Sequence, residues 1–172
     1  VGVIAPFLEE AGAQQRLIAF AGDHVGGEFA SQSPILRCRA CWFAGRVSRT
    51  LGEAPQTGLL AHYLRAVVAL HKDPCLPVSF RACLALRSLC ADGGHSALRP
   101  DVSDVVVPVL QEVLDDHFRL MDVVEADDLV GCLDSMIHIF SSRLAPYADA
   151  MARRLASHLL RLVQAPAHKG GE

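Results

Sequence analysis

Residues 36–48 read LRCRACWFAGRVS, and residues 78–90 read VSFRACLALRSLC. The triplet RAC stands at 39–41 and again at 81–83, an offset of 42, at which Leu36, Arg37 and Ala40 overlie Val78, Ser79 and Ala82. Self-similarity at such a period marks a helical repeat, in which each helix pair leaves an apolar face that only the next pair covers. At an offset of 49, Cys83–Leu84 meets Cys132–Leu133, the seven extra residues being absorbed in an acidic stretch between them. A further echo, VPVLQEVLDDHF against APYADAMARRLA, sets Pro108 and Pro146 at helix starts 38 residues apart.

Working outward, the pattern is helix, short break, helix throughout. From Ile35 to Thr50 the chain is apolar most of the way round, with Leu36, Ala40, Phe43 and Val47 in one stripe and Ser33–Pro34 as cap and first turn. Helical spacing returns after the break at 51–58 in Leu60, Tyr63, Leu64, Val67 and His71, and after DPCLP (73–77) in Val78, Ala82, Ala85 and Leu89. Beyond ADGGH (91–95), a helix is predicted from Asp101 to His117, with Pro108 either kinking it or opening a new one. Leu129, Leu133, Met136 and Phe140 mark the next, and Met151, Leu155, Leu159 and Leu162 the last. Upstream, 2–10 and 13–30 form another pair, with GDHVGG (22–27) as a breaker or bend; 166–172 is expected to be a frayed tail. Period-two alternation is not sustained anywhere, so no strand is assigned. The expected fold is all-α, a right-handed α-solenoid of HEAT-type helix pairs. About four repeats and eight helices are expected, roughly 1–30, 34–72, 76–118 and 126–165.

Composition agrees. Hydrophobic residues are 51% of the chain but aromatics only 6%, so the apolar content is mostly Ala, Leu and Val, suited to closely packed helices. No apolar run approaches the ~20 residues of a spanning helix. The chain starts at Val1 without the charged and apolar regions of a signal peptide, so a fragment of a longer intracellular protein is expected. The six cysteines suit a reducing compartment, because a helical chain of this size does not need disulfides.

The Cys38-x-x-Cys41 spacing invites redox or zinc chemistry. A thioredoxin-like pair needs a strand before it and its first thiol at a helix N-terminus, whereas Cys38 lies about a turn inside a helix. Zinc needs a second closely spaced ligand pair, and Cys83 and Cys90 are seven apart. Packing is the favoured reading, with Trp42, Cys38, Cys41 and Cys83 as structural core anchors; no cofactor or metal is expected. The eight histidines form no HExxH, and neither a phosphate loop nor a nucleophile elbow occurs. The acidic stretch lacks the ligand spacing and central glycine of a calcium loop. Enzymatic function is not expected.

The formal net charge is −3, but residues 101–134 carry ten acids against the single base Arg119, while both flanks are net positive. On one continuous helix, Asp101, Asp104, Glu112 and Asp115 would fall within about 60° of one another at 3.6 residues per turn. Asp116, Asp122, Glu125, Asp127 and Asp128 extend the block. Like charges this dense repel unless neutralised. Two readings stand: a solvated face with a polar loop, or a docking surface for a basic partner made of these nine residues.

ILRCRACWFAGRVS followed by DPCLPVSFRACLALRSL resembles the central repeats of importin-β superfamily receptors, most like the importin-seven and importin-eight branch, with its LRARACW and DxxLPV segments. Arg99 to Leu110, with its proline, and VEADDLVGCLDSMI leading to LAPYA extend the likeness over most of 15–165. Cys38 stands where Ala is usual, Gly26–Gly27 replaces a bulkier pair, and Ser79 replaces a basic or polar residue. The resemblance implies a nuclear import receptor: basic protein cargo on a concave acidic surface, GTP-bound Ran and phenylalanine-glycine nucleoporins as partners of the full-length chain, and shuttling between cytoplasm and nucleus through the nuclear envelope. It implies neither direct nucleic-acid binding nor membrane insertion. The alternative is a static HEAT scaffold of the phosphatase-regulatory or vesicle-coat type.

Overall fold

The computed structural model describes residues 11–91 and 98–164. The predicted helix at 2–10 and the tail at 166–172 lie outside them. Within the described residues the chain is helical and has no strand, in the order α1 (Ala11–Phe20), α2 (Pro34–Gly52), α3 (Leu59–Leu70), α4 (Leu76–Cys90), α5 (Pro100–Val106), α6 (Leu110–Met121), α7 (Asp127–Ile139) and α8 (Ala148–Gln164).

Proline and glycine set many of these boundaries. α2, α4 and α5 each have Pro in the first turn, where its missing N–H is no loss and its fixed φ suits the helix. Gly58 precedes α3 at φ 66°, a left-handed conformation that a Cβ disfavours. The helix predicted across Asp101–His117 is interrupted: a 3-10 turn at Val107–Val109 separates α5 from α6. Pro108 supplies the reason, since it cannot donate to the preceding turn and its ring crowds the carbonyl four residues back. At the glycines of 22–27, α1 loosens into a π-turn (Ala21–Val25) and a 3-10 turn (Gly26–Ala30), which together bend the chain towards α2.

The helices form two layers. In the first, α2 packs along α4 and α4 on α7; in the second, α3 lies against α5, and Arg154 of α8 reaches Phe118 of α6. The contact of α2 with α4 is the most extensive among the described residues, and small side chains allow it. Ala40, Cys41 and Ala44 on α2 and Ala82 and Ala85 on α4 are buried, and Gly45 lies directly over Ala85. One contiguous buried cluster runs from Ala21 to Met151 across every interface. A core extended by successive pairs, rather than closed around a centre, is that of an α-solenoid. We propose α2–α3, α4–α5/α6 and α7–α8 as successive repeats.

The predicted stripes on α3, α4 and α7 are buried throughout. On α2, Ala40, Phe43 and Val47 are buried but Leu36 is 45% exposed.

Candidate binding surfaces

The two segments that recur at offset 42 meet in space. Arg37, at the start of α2, holds Asp73, in the turn between α3 and α4, through two hydrogen bonds: Nε donates to Oδ2 at 2.7 Å and Nη2 to Oδ1 at 3.0 Å. Nη1 also donates to the carbonyls of Ser31 and Gln32, and Asp73 Oδ1 accepts the backbone N–H of Cys75. The hydrogen bonds from Arg37 hold the Asp73 carboxyl below the usual carboxylate range, and Asp73 in turn raises the Arg37 guanidinium. This fork-to-fork clamp fixes where α4 starts relative to α2. Sequence reasoning missed it; the signal was one opposite charge in each of two motifs, one read as packing and the other as a break.

Beside the clamp, α2 and the start of α4 frame a groove of about 380 Å³. Pro34, Ile35, Cys38, Arg39 and Trp42 form one wall, and Cys75, Pro77 and Arg81 the other. Trp42 is half-buried, packed against the core on one side and facing the groove on the other. Cys38 is half-buried too, its thiol directed to the Pro77 carbonyl at 3.7 Å. Cys41 and Cys83 lie in the core, and burial pushes the Cys41 thiol up to about 12. No described cysteine is disulfide-bonded, and among the described residues no group of three His, Cys, Asp or Glu side chains is placed to hold a metal ion.

The acidic block is divided by the fold. Asp101, partly buried, and Asp104, exposed, lie on α5, beyond the Pro108 turn from the others. Glu112, Asp115 and Asp116 share α6, where basic side chains of neighbouring elements and of α6 itself neutralise them. Lys72 Nζ, just after α3, meets Glu112 at 2.7 Å and Asp116 at 3.8 Å; Arg119 meets Asp116 at 2.6 Å; Arg154 of α8 meets Asp115 at 3.5 Å and lies over the Phe118 ring. Asp116 is buried, its side chain 3% exposed, so it is part of the interface rather than the surface. Asp122, Glu125, Asp127 and Asp128 are exposed around the start of α7, and the last two occupy its first turn, where the helix dipole favours negative charge.

Beneath this layer, His117 Nε2 donates to the Leu129 carbonyl at 2.9 Å, leaving its Nδ1 lone pair 3.3 Å from the Cys83 thiol. His71, at the end of α3, donates from Nδ1 to the Val67 carbonyl at 3.0 Å. Burial lowers both imidazoles, His71 to about 4. The arrangement pins α4, α6 and α7 together through neutral, hydrogen-bonded groups, and no part of it joins a nucleophile to an accessible substrate cleft.

Stacked helix pairs with one running core and grooves between adjacent helices define a HEAT-type α-solenoid. The chain belongs to the importin-β family. It is 32% identical over 143 residues to the importin beta-like SAD2 homolog of Arabidopsis thaliana, covering 81% of this chain and 13% of that protein. It is 30% identical over 142 residues to the probable importin-7 homolog of Dictyostelium discoideum, covering 82% of this chain and 12% of that protein. With importin-8 of Homo sapiens the identity is 28% over 147 residues, 84% of this chain and 13% of that protein. The chain thus spans about an eighth of the length of these curated relatives. No family model matches the chain, and no solved structure matches it.

Proposed function

We propose that the chain is a cargo-bearing section of a nuclear transport receptor, which works by binding and not by catalysis. The observation that supports this most directly is the exposed acidic group at the start of α7, in a chain related over four-fifths of its length to proteins named importins. Basic cargo meets Glu125, Asp127 and Asp128 directly. It reaches Glu112 and Asp115 only by displacing Lys72 and Arg154, whose ion pairs are solvent-exposed and therefore weakly held. In the full-length protein, GTP-bound Ran and phenylalanine-glycine nucleoporins are the further partners, and the receptor shuttles between cytoplasm and nucleus.

Charge reversal at Asp127 and Asp128, leaving the buried Asp116 intact, should weaken binding of a Lys/Arg-rich peptide, and binding should fall as salt is raised beyond physiological ionic strength and the Debye length shortens below ~8 Å. The full-length parent should prefer Ran loaded with GTP over Ran loaded with GDP. Unchanged peptide affinity together with no Ran preference would return the chain to the static-scaffold reading.

A further inference from the structure

The groove between α2 and α4 carries the opposite charge from the acidic block. Its wall carries exposed apolar surface: Ile35, which lines it, is 71% exposed. Arg39 and Arg81 stand one on each wall, at equivalent positions of the repeated RAC triplet. Among the described residues neither makes an ion pair, whereas Arg37, Lys72, Arg119 and Arg154 are all engaged by carboxylates. A guanidinium left unpaired beside apolar surface is matched by a carboxylate next to an apolar side chain.

We propose that this groove binds a short acidic–apolar segment of a partner protein. One aromatic or branched aliphatic side chain seats against Trp42 and Ile35, and carboxylates flanking it pair with Arg39 and Arg81. The volume, near the lower end of small-ligand sites, admits one or two large side chains and not a folded surface. The apolar anchor supplies affinity, and the charges set register and exclude basic segments. The chain then sorts partners by charge on two faces, with basic segments at the acidic block and acidic ones here. The proposal does not depend on the transport role.

The test uses the full chain and a labelled decapeptide carrying one Phe between two Glu residues in a Ser/Ala background. Trp42, the only tryptophan, reports binding by fluorescence, and alkylation of the half-buried Cys38 and Cys75 reports occupancy, the other four cysteines being buried and serving as the reference. Expected is saturable binding that slows alkylation of Cys38 and Cys75 alone. It should weaken about tenfold or more with Arg39→Glu plus Arg81→Glu, with Glu→Gln in the peptide, and with Phe→Ala in the peptide. Should the charge reversals lower helicity, Arg39→Gln with Arg81→Gln replaces them and should weaken binding in the same direction. Equal binding of a neutral Phe-Gly peptide would overturn the proposal in favour of a purely apolar pocket. So would absence of saturable binding, or a dimer in sedimentation that Ile35→Ser dissolves, which would make a second copy the occupant.

Discussion

Acidification should destabilise this chain through His71, and the size of the effect follows from its surroundings. His71 is 7% exposed, uses its one ring proton on the Val67 carbonyl, and lies near a second buried imidazole, His117. Burial is the main reason its affinity for a second proton falls from the ordinary 6.5 to about 4. Above about pH 6.5 both folded and unfolded chains hold His71 neutral and the contribution is intact. Below it the unfolded chain takes up the proton first, so stability drains until pH falls through the folded value near 4. At ~1.4 kcal/mol for each tenfold change in proton affinity, the full loss is about 3 kcal/mol, of which roughly 2 kcal/mol falls between about pH 7 and about pH 4.5. Carboxylates titrate in the same range, so the measurement is a difference. Urea unfolding of the wild type and of His71→Gln, which keeps a donor for Val67 but cannot titrate, is followed by circular dichroism at both pH values. The wild type should lose roughly 2 kcal/mol more than the variant. Parallel losses would refute the reasoning and show that water or a counter-charge reaches His71 in the folded chain.

Tyr63 is fully buried and its hydroxyl donates to the Ala21 carbonyl at 2.9 Å; that carbonyl also accepts the Gly26 N–H, so Tyr63→Phe orphans nothing and should cost only about 0.5–1.5 kcal/mol in chemical denaturation. Gly58→Ala places a Cβ on a residue at φ 66° with no steric neighbour nearby, so the loss, roughly 1 kcal/mol by the same assay, comes from backbone strain alone. Arg37→Ala and Asp73→Ala should each lower the thermal midpoint, and the double variant should lose less than the sum of the two singles, because the clamp they share is removed only once while each also loses backbone bonds of its own; additive losses would mean the two residues act separately. Asp116→Asn should lower stability more than Asp115→Asn, since the first is buried between Lys72 and Arg119 while the second is a half-exposed partner of Arg154.

Local patterning carried the architecture. Apolar residues at helical spacing, prolines in first turns and one repeated triplet are properties of the chain taken a few residues at a time, and a solenoid is built from neighbours in sequence. The helices at α2, α3, α4 and α7, the buried stripes of the last three and the family likeness were therefore readable in advance. Contacts between segments were not. That Arg37 pairs with Asp73, 36 residues away, and that Lys72 and Arg154 neutralise Glu112 and Asp115 depend on how adjacent pairs dock, which no periodicity encodes. Pro108 left two geometries open, and packing of α5 against α3 goes with the broken one, which separates Asp101 and Asp104 from the acids of α6. Exposure was the least legible quantity. Ile35 and Leu36 have core chemistry yet face outward, and Asp116 has surface chemistry yet is buried, because burial is decided by what the neighbouring repeat places over a residue, and that neighbour's partner charges lie tens of residues away.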